Sequence, residues 1–274
     1  MSVEKAAATY ENSSVTNPNN EDISLETQNR LQKNIATRTR YIGLFRNIQK
    51  YSTIPITSYF CLHATNIIVL PLVASNNQVE RFMEWTHTFL PINTAKWILF
   101  FAFTHIESGT LLKLFKIWNE ADSRNLKGKN DYSVIKTFLL KFVKGRSPVS
   151  LSGSVFVFSV FFHLALIKFL PQYLGGLHTG IPFITWLLHN DSLFVRFGLG
   201  ALPLIILIWG AIYHIVNGSA EFLGLKYNAR NTFKSFANLL SIVGTITVFK
   251  FLLTKPIFQE LEIPGFEKLI SYFY

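Results

Sequence analysis

Cysteine and charge are both scarce in this chain, and each scarcity excludes something. With Cys61 as the single cysteine, neither an intrachain disulfide nor a thiolate zinc site can form. Charged residues make up 15 % of the 274 residues, whereas a soluble domain carries about 25 %. Catalytic signatures are missing too. There is no P-loop, GxSxG elbow, HExxH or dinucleotide fingerprint, so no residue is assigned a catalytic role and the chain reads as a non-enzyme. The amino-terminal stretch MSVEKAAATYENSSVTNPNNEDISLE has no apolar core of the kind a secretory signal needs. It also carries Glu4, Glu11, Glu21, Asp22 and Glu26, whereas mitochondrial presequences are Arg-rich and poor in acids. Targeting therefore falls to the spans themselves, which suits the mitochondrial outer membrane or the endoplasmic reticulum.

What the chain does have is apolar length. Hydrophobic residues reach 49 %, phenylalanine alone contributes 26 residues, and mean hydropathy is +0.28. A membrane-crossing helix needs about 20 mainly apolar residues, and five stretches qualify: 53–74, 95–117, 150–171, 197–221 and 234–254. The fourth contains Pro203, which predicts an irregular or tilted start. The segments RFMEWTHTFLPI (81–92) and HTGIPFITWLLH (178–189) are too short to cross. Their Trp and His content suits the membrane–water interface. Residues 132–144 read as a lysine-rich surface helix, and SPVSLSGS (147–154) as a helix start with a serine cap.

Ahead of the first span, residues 1–26 have the polar composition of a disordered tail. Residues 27–50 are basic, with apolar Leu31, Ile35, Ile42, Phe45 and Ile48. Two readings fit them: an amphipathic helix on an anionic membrane surface, or a solvated lead-in to the span. Most of the Lys and Arg behind the formal charge of +10 sit in the regions flanking the spans, which argues for membrane surfaces and against nucleic acid as the partner. The tail, the 118–149 loop and the 222–233 loop hold most of the Lys and Arg, including Arg38, Arg40, Arg46, Lys50, Arg124, Lys136 and Lys141. The opposite side has Arg81, Lys255 and Lys268. By the positive-inside rule the amino terminus is cytosolic.

An internal repeat appears on alignment of the chain with itself. HATNIIVLP (63–71) matches HLALIKFLP (163–171) at an offset of 100. THIESGTLLKLFKIWN (104–119) matches YHIVNGSAEFLGLKYN (213–228) at an offset of 109. The predicted fold is an all-α, polytopic membrane bundle of five transmembrane helices, built from a tandem two-helix repeat. The chain divides into a tail (1–52), a first membrane repeat (53–130), a basic surface helix and linker (131–149), a second repeat (150–231), and a fifth span with its C-terminal tail (232–274).

Each repeat places one histidine in each span, giving His63, His105, His163 and His214. A neutral imidazole has one donor and one acceptor and is a natural metal ligand. Two imidazoles on facing helices can ligate a haem iron from both sides. The same four residues can equally serve as interhelical hydrogen-bonding groups. Gly109 and Gly218 follow two of them by four residues, on the same helix face, where a missing side chain would let a macrocycle or another helix come close. Glu107 has no acidic counterpart at Val216. It could pair with Lys113, or line a polar groove with His105 and His214 along which lipid moves. His87, His178 and His189 read as exposed loop residues.

Two resemblances follow. Five spans, a two-fold repeat and four span histidines resemble the single-chain di-haem cytochrome b anchors of succinate and fumarate oxidoreductases. That resemblance implies haem b, with His63 paired to His163 and His105 to His214 as axial ligands. The polar tail, the five spans and the duplicated unit in FTHIESGTLLKLFKIWN and IYHIVNGSAEFLGLKYN resemble the fungal MDM-ten-complementing protein family more closely. That resemblance implies a mitochondrial outer-membrane protein supporting lipid homeostasis and morphology at a contact site, with membrane lipids as partners. It also implies recruitment of a chorein-type bridge lipid-transfer protein through a Pro-x-Pro motif in the tail. This sequence has no Pro-x-Pro, and Pro18 is the only proline of the tail, so that partner would need a different motif.

Overall fold

The structure is a computed structural model that describes residues 24–91, 93–126, 135, 148–174, 180–254 and 262–273. Most of the expected disordered tail, nearly all of the 132–144 helix, Ser147 and His178 lie outside the described residues. The described elements are helical, with no strand among them. Five helical stretches are long and apolar enough to cross a membrane: Leu25–Val73, Thr94–Asn125, Pro148–Tyr173, Phe194–Phe222 and Tyr227–Leu253. These match the five expected spans, but the first two run well beyond them. Helix α1, Leu25–Ala64, has 40 residues and so is about 60 Å long, against about 30 Å of hydrocarbon. Helix α4, Thr94–Asn125, has 32.

Three spans are interrupted by wider π turns, Thr65–Val69, Ala165–Phe169 and Phe194–Ala201. Each is followed by a Leu-Pro pair: Leu70-Pro71, Leu170-Pro171 and Leu202-Pro203. A proline ring clashes with the carbonyl four residues earlier and offers no N–H; a widened turn just upstream relieves both faults. The first two π turns and their prolines stand at the same offset of 100 as the sequence match. The third is the irregular start expected at Pro203. Helix resumes as α2 (Leu70–Val73), α6 (Leu170–Tyr173) and α8 (Leu202–Phe222). The third span begins as α5, Pro148–Leu164.

By contacts the chain forms two compact units, one of residues 1–49 with 106–143, the other of 50–105 with 144–274. In the first, the early part of α1 pairs with the late part of α4 as a helical hairpin. Leu31, Ile35, Arg38, Ile42, Phe45 and Gln49 are half-buried at alternating steps of four and three, among exposed neighbours. That spacing is a coiled-coil seam. Tyr41 and Phe45 stack on Phe115 at 6.0 and 5.7 Å. Arg38 donates to Asp122 at 2.6 Å and lies over Trp118 at 5.6 Å, and Asn119 donates to Thr39 at 3.3 Å. The helix runs unbroken into the first span, and its apolar stripe faces α4.

The second unit holds the cores. Its largest cluster joins Leu166, Phe183, Trp186, Leu187, Leu199 and the C-terminal helix α10, Ile263–Ile270. Phe183 sits 6.0 Å from Trp186 and 5.1 Å from Phe266, ring to ring. This packing covers most of the segment read as interfacial. Helix α7, Ile181–His189, buries five of its nine residues, and Trp186 is 6 % exposed because α10 covers it. In its counterpart α3, Asn76–Phe89, Phe82, Trp85 and Phe89 stack in series, and Trp85 is 55 % exposed. A Ser75–Gln78 capping box starts α3. Two residues expected in loops lie on helices instead. His87 falls within α3, and His189 ends α7, its Nδ1 donating to the Thr185 carbonyl at 2.8 Å.

The fifth span, α9 (Tyr227–Leu253), packs on α8 and on the first π turn. A Cβ at Gly244 would meet Ile208 at 2.5 Å, and one at Gly210 would meet the Phe156 backbone at 3.3 Å. Small residues thus bring these helices together, as is usual in membranes. Two polar side chains of α9 satisfy carbonyls at the end of the first span. Thr247 donates to the Ile68 carbonyl at 2.8 Å, and Lys250 donates to the Pro71 carbonyl. Helix α8 ends at Gly224, whose φ of +63° is costly for residues with a Cβ.

Candidate functional site

The four span histidines fall into two pairs. His105 and His214 lie 6.3 Å apart, ring centre to ring centre, with planes at 77°. Each Nδ1 is engaged. His105 shares a hydrogen bond with the Thr53 hydroxyl at 3.0 Å. His214 donates to the Val149 carbonyl at 3.1 Å. A carbonyl can only accept, so it fixes the His214 tautomer with Nδ1 protonated and the lone pair on Nε2. The Phe156 ring lies 6.2 Å from that imidazole. Gly153 provides its seat, since a Cβ there would sit 2.7 Å from His214 Cε1.

His63, in the last turn of α1, stacks on Tyr59 at 5.7 Å with planes 9° apart. It is close enough to His163 for the two imidazoles to interact electrostatically. His163 lines a cleft with Ser159, Leu166, Leu199 and Pro203 that has about 10 Å³ for the centres of water-sized spheres, roughly one water. The second span therefore meets the fourth at His105 and His214.

The supporting residues were not singled out in the sequence. Thr53 and Gly153 are 100 residues apart, the same offset as His63 and His163, and each faces the histidine of the neighbouring span. That offset was the available signal. The Val149 carbonyl had none. Gly109 faces the Gln49 side chain, 2.7 Å from a would-be Cβ, and Gly218 has open space there. The tight approach of a glycine to a span histidine is at Gly153. Glu107 is exposed, two residues from half-buried His105, and residues two apart on a helix do not share a face. Glu107 and His105 therefore do not line one groove.

Opposed imidazoles can be tested against a haem iron. Metal–nitrogen bonds of about 2 Å on opposite sides of one ion put the ring centres about 6 Å apart, and His105 and His214 have that spacing. A carbonyl that orients a ligating histidine through its other nitrogen is the usual outer-shell partner, and Val149 supplies one. Among the described residues no three metal-ligating side chains cluster. Two imidazoles per site suit an ion that brings four ligands of its own, as haem iron does. The residues at His105 and His214 fit the group.

Comparison with known proteins adds a second line. Residues 157–254 match the family model described as MDM10-complementing protein 1, transmembrane domain. Over those residues the chain is similar to this family. It is 26 % identical over 228 residues to the mitochondrial adapter protein MCP1 of Saccharomyces cerevisiae, covering 74 % of this chain and 72 % of the yeast protein. No solved structure matches it. The matched domain begins inside α5 and ends after α9, so it contains His163 and His214 but neither His63 nor His105. The hairpin lies wholly outside it.

Proposed function

We propose that this protein is a non-catalytic adapter of the mitochondrial outer membrane, with a cytosolic amino terminus, that supports lipid homeostasis and organelle morphology at a membrane contact site. The likeness to the yeast mitochondrial adapter carries the reading. The architecture supports it physically. A five-span bundle anchors the chain, and the first two spans continue as a helical hairpin rich in exposed cations, a surface suited to anionic lipids or a partner protein. The bridge-type lipid-transfer partner implied by the family resemblance would have to be bound without a Pro-x-Pro motif.

The test is localisation with topology. An amino-terminally tagged protein should co-purify with outer-membrane markers, resist carbonate extraction, and lose its tag to protease added to intact mitochondria. A signal confined to the endoplasmic reticulum, or a protected tag, would overturn the reading.

A second reading is favoured by the paired histidines: haem b held between His105 and His214, with His63 and His163 as a second pair. When bound, the iron would supply one-electron redox chemistry. This chain's residues would orient it. Val149 fixes the His214 tautomer, Thr53 holds the His105 ring, and Gly153 leaves room for the His214 imidazole. Purified protein should show a Soret band that His214→Leu weakens and Glu107→Gln leaves intact. A colourless, folded preparation after growth with ample haem would sink this reading.

A further inference from the structure

Between Thr27 and Lys50 the chain has six cations, Arg30, Lys33, Arg38, Arg40, Arg46 and Lys50, and no carboxylate. The structure sorts them. Arg38 is turned into the seam, where Asp122 neutralises it and Trp118 covers it. The other five are exposed, and none makes an ion pair among the described residues. Arg30, Lys33, Thr37, Arg40 and Leu44 follow one another at steps of three and four and are all exposed. They form one face of α1, opposite the seam. Leu44, 52 % exposed, is the apolar member of that face.

Distance along the helix separates these cations by role. Lys50 stands at the start of the first span. Arg40, Lys33 and Arg30 precede it by 10, 17 and 20 residues on the same unbroken helix, or about 15, 25 and 30 Å at 1.5 Å per residue. Electrostatic attraction fades over about 8 Å at physiological salt. Lys50 and Arg46 can serve headgroups beside the span. Arg30, Lys33 and Arg40 form the stripe with Thr37 and Leu44. The stripe runs about 15 Å from Arg30 to Arg40 and about 21 Å to Leu44; one acid, exposed Glu26, stands a turn before Arg30 on the same face, and the three-four spacing matches that of an opposing helical peptide.

We propose that Arg30, Lys33, Arg40 and Leu44 form a docking stripe for an acidic amphipathic segment of a partner protein, one that presents carboxylates at helical spacing beside an apolar residue. This deepens the adapter reading, and it rests on that reading only for the existence of a partner. Charge-assisted pairing across an exposed interface gives speed and selectivity of association, and the leucine gives the peptide its register.

The test uses the full chain in nanodiscs of neutral lipid. The probe is a fluorescent helical peptide with glutamates at i, i+3 and i+7 and a leucine on the same face, compared with a scrambled peptide of equal charge. The wild type should bind the patterned peptide at least about tenfold more tightly than the scrambled one, with affinity falling as salt rises. Combined Arg30→Glu, Lys33→Glu and Arg40→Glu should abolish that binding, whereas Arg46→Glu with Lys50→Glu should keep most of it. Circular dichroism confirms that each variant keeps the wild-type helix content, as expected for exposed positions. Equal binding of both peptides, or an unaffected triple variant, would overturn the proposal. So would binding only to vesicles containing phosphatidylserine, lost in the same triple variant, since the stripe would then serve a membrane. Localisation and topology test the adapter reading separately, so the two can fail independently.

Discussion

In the hairpin, the seam residues include an arginine and a glutamine, and an ion pair and stacked rings lock it to α4. In the membrane bundle, the fully buried side chains are mostly aliphatic or aromatic. Most of the polar side chains buried there bond to backbone carbonyls, and two of those carbonyls lie at or just after a π turn. The contrast reflects two solvents. Water beside the hairpin can solvate unused donors and acceptors, so mixed polar and apolar contacts suffice, and a buried ion pair fixes register more than it stabilises. Lipid cannot, so each backbone irregularity needs an internal partner. Thr247 at Ile68 and Lys250 at Pro71 are such partners. The family match follows the same division, since residues 157–254 belong to the unit whose packing is most constrained.

Substitutions in the two regions should sharpen this contrast. The largest effect is expected at Phe183, which is fully buried between Trp186 and Phe266. Phe183→Ala should cost about 3–5 kcal/mol, seen as a marked fall in the thermal midpoint of purified protein. An unchanged midpoint would mean that the α7–α10 layer is not a core. Next comes Gly153→Ala, whose methyl would push on His214. It should cost about 1–3 kcal/mol and, if haem is held there, shift the absorption maximum. A smaller loss, about 1–2 kcal/mol, is expected for Arg38→Ala, which leaves Asp122 without its charged partner. It should show as faster limited proteolysis after residues 25–49, with the bundle intact. The smallest is Gly224→Ala at a left-handed φ, about 1 kcal/mol, measured by the same thermal scan.

Much of the bundle was legible in the sequence because hydrocarbon imposes a length and a composition on anything that crosses it. The five spans and the irregular start at Pro203 followed from that alone. The histidine pairing was legible as a resemblance, through the matched offsets. Other features depended on contacts between distant parts of the chain. Trp186 and His189 suggested an interfacial segment, and only α10, some 80 residues later, buries it. Likewise the apolar stripe of 27–50 fitted a membrane surface or a solvated lead-in to the span; its packing on α4 shows only in Phe115, Trp118 and Asp122. The backbone carbonyl that orients His214 belongs to Val149, a residue whose side chain says nothing of the role. Gly153 stood at the right offset from Thr53, but a glycine's significance rests on what lies against it.

That the hairpin is held by its own seam, and the bundle by another kind of packing, can be measured by hydrogen exchange in nanodiscs on wild type, Arg38→Ala and Phe183→Ala. The account predicts that Arg38→Ala lowers protection over residues 25–49 and 106–125 only, and that Phe183→Ala lowers it over 181–201 and 263–270 while leaving the hairpin unchanged. Loss of protection across both regions from either substitution would contradict it.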